Sequence, residues 1–148
     1  MDRINILIIE DEEPAVKRLW KLVKEILPNA QLLATHYSVA HAVSWLQQNP
    51  MPQLILSDVQ LSDGISFEIF KSVPEVCPVI FITAFDQYAI HAFKTNSIDY
   101  LLKPVKKAEL EAALKKFLNQ SQSRNAFSIN ELLKSLHPAP AKEYKKRF

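Results

Sequence analysis

Polar residues able to do chemistry stand at the ends of apolar runs. Residues 4–9 lead into Glu10 and Asp11, residues 53–56 into Ser57 and Asp58, residues 79–82 into Thr83, and residues 98–102 into Lys103 followed by Pro104. If these runs are parallel strands, their carboxyl ends share one edge, where open sheets of this kind form ligand sites. Two or three acids, a hydroxyl and an ammonium then converge. Close carboxylates raise one another's pKa unless a cation neutralises them. An all-oxygen donor set suits Mg2+, which accepts one or two carboxylates, keeps several waters and takes further ligands from a phosphorylated partner. On the opposite side the Lys103 ammonium can neutralise a phosphoryl oxygen, the Thr83 hydroxyl can donate to another, and Ala84 leaves room. An aspartate can itself be the nucleophile, forming an acyl phosphate while metal and lysine stabilise the developing charge. Asp58, alone at the end of the central run, is the expected nucleophile. Glu10 and Asp11, together on the neighbouring run, are placed to hold the metal.

The elements that must position these groups alternate along the chain. Five β-branched, apolar segments (residues 4–9, 31–35, 53–56, 79–82 and 98–102) are separated by segments of helical period, the pattern of βαβ units around a parallel sheet. The first, third and fourth are apolar on both faces, as buried central strands must be. Pro14 suits the first turn of a helix whose Val16, Leu19, Trp20, Val23, Ile26 and Leu27 form one stripe before Pro28. Ser38 is the expected cap of a second helix, with Val39, Val43 and Leu46 inward and its end near Asn49 and Pro50. Asp86 is placed to cap a helix bearing Ile90 and Phe93, and Leu110, Ala113, Leu114, Phe117 and Leu118 line the last long one. The fold class expected is α/β, doubly wound.

Composition narrows the function further. The chain has 148 residues, 48% hydrophobic and 23% charged, which suits one globular domain with an appended tail. Its apolar runs are too short to cross a membrane, and it reads as soluble and unexported. Cys77 is the single cysteine, so an internal disulfide and a thiolate metal cluster are both excluded, and a packed thiol is expected. The single glycine, Gly64, rules out the P-loop and the dinucleotide fingerprint, each of which needs several. The net charge of +2 comes from the end of the chain, where Lys142, Lys145, Lys146 and Arg147 face only Glu143. The globular part has no basic excess with which to hold a nucleic acid. His36, His41, His91 and His137 share no ligand spacing, and Trp20 and Trp45 suit packing.

After Asn119 the composition turns polar, which is read as a domain edge. Ser128 and Glu131 have capping-box spacing, and Ile129, Leu132, Leu133 and Leu136 share a face until Pro138. The division expected is a domain over residues 2–120, a linker over 121–141 with a short helix at 128–136, and the start of a further domain at 142–148.

The segments Leu7-Ile8-Ile9-Glu10-Asp11-Glu12, Leu54-Ile55-Leu56-Ser57-Asp58, Ile82-Thr83-Ala84 and Tyr100-Leu101-Leu102-Lys103-Pro104 resemble the receiver domain of bacterial two-component response regulators. The stretch from Thr83-Ala84-Phe85-Asp86 to Lys103-Pro104 is similar to the LytTR-type subfamily, and Glu143-Tyr144-Lys145-Lys146-Arg147-Phe148 to the start of that subfamily's DNA-binding domain. The resemblance implies a flavodoxin-like five-stranded sheet of order 2-1-3-4-5. It implies that Asp58 accepts phosphate from a sensor histidine kinase, and that Glu10, Asp11, Asp58 and the Gln60 main-chain carbonyl hold Mg2+. Thr83 and Lys103 would bind the phosphoryl group, with Tyr100 the switch aromatic and the Lys103-Pro104 bond cis. It further implies a cytoplasmic protein and a homodimer through the fourth helix, fifth strand and fifth helix. DNA would be bound only through a C-terminal domain beyond this chain. Glu10 departs from the more frequent aspartate, Ser62 stands where many receivers place proline, and Asp63-Gly64 come earlier than the usual Asp-Gly pair.

Three rivals share parts of the pattern. A phosphatase with an aspartyl nucleophile carries a second acid two residues later, where this chain has Gln60. A flavin carrier of this fold needs a glycine- and hydroxyl-rich loop after the first strand, where Glu10 to Pro14 stand. A receiver used only for docking, never phosphorylated, stays open.

Overall fold

A computed structural model describes residues 3–73, 76–84 and 97–125, without the side chains of residues 97 and 121–125. The helix expected from Asp86, the helix at 128–136 and the basic end at 142–148 lie outside the described residues. The elements are β1 (Ile4–Ile9), α1 (Glu13–Ile26), β2 (Ala30–His36), α2 (Val39–Gln48), β3 (Leu54–Ser57), β4 (Gln60–Leu61), β5 (Gly64–Ile65), α3 (Phe67–Ser72), β6 (Val79–Thr83), β7 (Ser97–Leu102) and α4 (Lys107–Asn125). The chain divides into two units, Met1–Phe117 and Leu118–Phe148. The sheet and everything below belong to the first.

Five strands form one sheet of order β2-β1-β3-β6-β7, every neighbouring pair parallel. With β4 and β5 set aside as a separate antiparallel hairpin, this is the order the resemblance implied. The central strands are buried on both faces, as their unbroken apolar runs require: β3 and β6 are buried throughout and β1 over its last four residues. Leu7, Ile9, Ile55, Val79 and Phe81 point to one face, where Ala42 and Leu46 of α2 and Ile69 and Phe70 of α3 complete a buried cluster. Phe81 anchors it with edge-on contacts to Phe67 and Phe70, centroids 5.0 and 5.7 Å away. Cys77 packs half-buried against this cluster, as a packed thiol should. Ile6, Ile8, Leu54, Leu56 and Ile80 alternate to the other face and are equally buried. The apolar stripes of α1 (Val16, Leu19, Val23) and α4 (Leu110, Ala113, Leu114) supply its cover.

The helix ends follow local chemistry. α1 carries Pro14 in its first turn, closes with Leu27 N–H on Val23 O at 2.7 Å, and has its exit carbonyls of Pro28 and Ala30 taken by the Lys24 ammonium at 2.7 and 3.0 Å. α2 is capped by Ser38, whose hydroxyl accepts from His41 N–H at 3.1 Å. A second acceptor was not foreseen. The Asp63 carboxylate, arriving from the turn of the hairpin, takes the N–H groups of Val39 and Ala40 at 2.7 and 3.1 Å.

The hairpin was not anticipated, and α3 falls in an interval where a helical segment was expected without stated bounds. Two-residue strands and a six-residue helix are shorter than the windows over which periodicity can be read. Gly64 sits in the hairpin at φ +153°, a conformation that suits a residue with no Cβ.

Candidate functional site

The strand register sets every polar group of the sequence pattern along one edge. Ile9 lies level with His36 on one side and Ser57 on the other, Ser57 with Phe81, and Thr83 with Leu102. The next residues, Glu10 and Asp58, therefore leave the sheet on neighbouring strands, and Lys103 leaves it from β7, beyond β6. Each is pinned to a neighbour through its main chain. Glu10 N–H donates to His36 O at 2.9 Å, Asp58 N–H to Ile9 O at 2.8 Å, and Lys103 N–H to Thr83 O at 2.8 Å. These bonds continue the ladder beyond the strands, so the functional side chains start from fixed backbone.

Lys103 joins the two halves of the site. Its ammonium donates to Glu10 Oε1 at 2.7 Å and to Asp58 Oδ2 at 2.9 Å. The remaining carboxylate oxygens are held by main chain: Asp58 Oδ1 accepts from Val59 N–H at 2.6 Å and Gln60 N–H at 3.3 Å, and Glu10 Oε2 from Glu12 N–H at 3.1 Å. Ser57 Oγ donates to Asp58 O at 2.8 Å. Charge-assisted bonds of this kind fix rotamers as well as charge. Glu10 is 4% exposed and Asp58 9%, so both are sunk into the edge while still touching solvent. Asp11 is exposed beside them.

One ammonium does not neutralise this set. Burial raises the Glu10 carboxyl, the Lys103 hydrogen bond pulls it back and the Asp58 charge raises it again, leaving it pushed up to about 7. Burial works against the charged Lys103, but the two carboxylates outweigh it and hold the ammonium above its ordinary range. Carboxylate oxygens of Glu10, Asp11 and Asp58 lie within 4.8 Å of one another. This excess of hard oxygen donors and negative charge, open to solvent at Asp11, fits a divalent cation of the Mg2+ type.

The other expected residues take positions around this centre. Thr83 ends β6 fully buried and receives Lys103 N–H on its carbonyl. Gln60 is at the rim, its N–H on Asp58. Tyr100 is half-buried, level with Phe81, and packs against the cluster under α2 and α3. His41 is exposed, and His36 is half-buried with its ring 5.7 Å from that of Trp45, a packing role for both aromatic residues. Two residues take roles that the sequence reading did not assign. Asp63 caps α2, and Arg18 donates from α1 to Val105 O at 2.7 Å. The second bond spans 87 positions, and nothing local announces it.

Residues 6–115 match the family model described as the response regulator receiver domain. Among similar proteins are an uncharacterized response regulatory protein of Vibrio cholerae (32% identical, covering 89% of this chain and 51% of that protein) and the sensory transduction protein LytT of Bacillus anthracis (33%, 82% and 50%). The positive alginate biosynthesis regulatory protein of Pseudomonas aeruginosa is 34% identical over 76% of this chain and 46% of its own. The chain thus spans about half the length of these relatives. In structure it is similar to the response regulatory domain of protein mrkE from Klebsiella pneumoniae, with TM-score 0.74, 21% identity, and coverage of 81% of this chain and 99% of that one. Sheet order, the edge at which the acids and lysine meet, and the family match over residues 6–115 all agree, and this chain belongs to the response regulator receiver domain family of two-component signalling.

Proposed function

We propose that Asp58 is a phosphoacceptor charged by a sensor histidine kinase. The observation that carries this reading is Lys103 held at 2.7 Å from Glu10 and 2.9 Å from Asp58, with Asp11 beside them. In the transfer, a bond forms between an Asp58 carboxylate oxygen and phosphorus as the bond from phosphorus to the kinase histidine breaks, the electron pair returning to the imidazole. Asp58 is already oriented for this by the N–H groups of Val59 and Gln60. Lys103 can follow the charge onto the phosphoryl oxygens, and the hydroxyl of Thr83, at the adjoining strand end, would donate to them. A Mg2+ ion held by Asp11, Asp58, the Gln60 carbonyl and Glu10 would supply charge neutralisation at the transferring group.

The relatives named LytT and the alginate regulator are about twice this chain's matched length, which supports the wider reading. In it, the domain is not an enzyme for external substrates. It works in the cytoplasm, and its phosphorylation favours a homodimer through the face that includes β7 and α4, which in turn controls a C-terminal LytTR-type DNA-binding domain. No described helix is long and apolar enough to cross a membrane.

Mass measurement after incubation with a small acyl phosphate tests the central step. A phosphate adduct is expected with Mg2+ and none with a chelator. Persistent absence of the adduct would leave a domain used for docking alone. Analytical ultracentrifugation with and without a phosphate mimic tests the dimer, and equal dimer fractions would count against it.

A further inference from the structure

Lys103 stands one residue beyond β7, in a turn, and its ammonium is useful only while that turn holds it between Glu10 and Asp58. Upstream the turn is secured by Lys103 N–H on Thr83 O at 2.8 Å. Downstream it is not secured in the same way. Pro104 has no N–H to donate, and α4 begins only at Lys107. A cavity of about 310 Å³, open to solvent on one side, borders Glu10, Arg18, Leu19, Lys103, Pro104 and Val105, although the Val105 side chain itself is buried. At this cavity's wall Arg18 Nη2 donates to Val105 O at 2.7 Å, the polar tie to Pro104 and Val105 among the described residues. A charge-assisted bond from a guanidinium to a carbonyl is among the stronger single hydrogen bonds available for such a tie.

We propose that Arg18 is a positioning residue for phosphoryl transfer, strapping the Lys103–Val105 turn to α1 and so fixing the Lys103 ammonium between Glu10 and Asp58. This rests on the reading of Asp58 as phosphoacceptor. Arg18 touches none of the reacting groups in this role. It acts through the main chain two residues after Lys103, and a shift of about 1 Å in a catalytic group costs up to about 100-fold in rate.

The test uses the full chain as parent, Arg18→Met, Arg18→Lys and, as a control one position away on α1, Lys17→Met. Three quantities are measured: solvent protection of the Lys103 ammonium by NMR without metal, the rate of adduct formation with a small acyl phosphate and Mg2+, and Mg2+ affinity by calorimetry. In Arg18→Met the Lys103 signal is expected to lose protection and the rate to fall about 10-fold, while Mg2+ affinity stays within about twofold. Arg18→Lys regains part of both, and Lys17→Met matches the parent. A protected Lys103 with parental rate in Arg18→Met overturns the proposal. So does a rate that falls together with Mg2+ affinity and melting temperature, which would be general loosening. If the parent itself forms no adduct, the phosphoacceptor reading fails separately, and the Lys103 signal still decides whether Arg18 is a strap.

Discussion

Asp58 and Asp63, five positions apart, both accept two main-chain N–H groups, yet they stand in opposite surroundings. Asp58 takes those of Val59 and Gln60, is nearly buried, and meets the Lys103 ammonium. Asp63 takes those of Val39 and Ala40 at the start of α2, is exposed, and has its carboxyl held below the usual range, first by the Val39 hydrogen bond. The same acceptor pattern thus belongs to a buried ion network in one place and to a helix cap in the other. What separates them is desolvation beside a cation and further carboxylates, where charge is costly and a second cation is welcome, against water and a helix N-terminus, where the charge is already satisfied.

The largest effect expected from this contrast is all or none. With Mg2+ and a small acyl phosphate, Asp58→Asn should give no adduct by mass spectrometry, whereas Asp63→Asn should match the parent. An adduct surviving in Asp58→Asn would place the acceptor elsewhere. Next, Lys103→Met leaves Glu10 and Asp58 facing each other, and urea unfolding without metal at neutral pH should show a loss of about 2–3 kcal/mol, since both carboxylates of a partly buried ion network lose their cation. Added Mg2+ should restore part of it.

Titration sharpens the comparison, because the two regions respond in opposite senses. The folded Glu10 carboxyl titrates near 7, above its ordinary 4.5, so its contribution to stability is complete below pH about 4.5 and is lost as pH rises through about 7. Asp63, held low, contributes above its ordinary 3.8 and loses that contribution as pH falls below it. Melting temperatures of the metal-free protein should therefore decline between pH 5 and 8, and Glu10→Gln should flatten that decline while leaving the acid limb unchanged. Mg2+ affinity should climb over the same interval, as Glu10 ionises. Smaller still, Gly64→Ala should cost about 1–2 kcal/mol from backbone strain, and Ser38→Ala about 1 kcal/mol from loss of the cap. Both are read by urea unfolding, and neither should alter Mg2+ affinity.

Much of this architecture was legible because it is written in unbroken runs. The runs giving β1, β3 and β6 are apolar on both faces, so their burial and parallel pairing follow from composition alone, and the polar residue that ends each run must surface at the same edge. That is why Glu10, Asp58 and Thr83 could be grouped before their distances were known, with Lys103 added from the end of the fifth run. Ser38 was legible as a cap because its partner lies three residues away. Asp63 and Arg18 were not, because their partners lie 24 and 87 positions distant, and long-range hydrogen bonds leave no local pattern. Contacts such as those of the Glu10 carboxylate depend on side-chain rotamers as well, which residue type alone does not fix.

The hairpin β4–β5 joins these two aspartates with very little chain. Gln60 at its near end reports on Asp58, Asp63 at its turn grips α2, and the protein's only glycine lies directly after that grip. Any rearrangement of the peptide at Gln60 has few torsions in which to dissipate before it reaches the first turn of α2. The sheet edge at Asp58 and the first turn of α2 are thereby joined through one short hairpin.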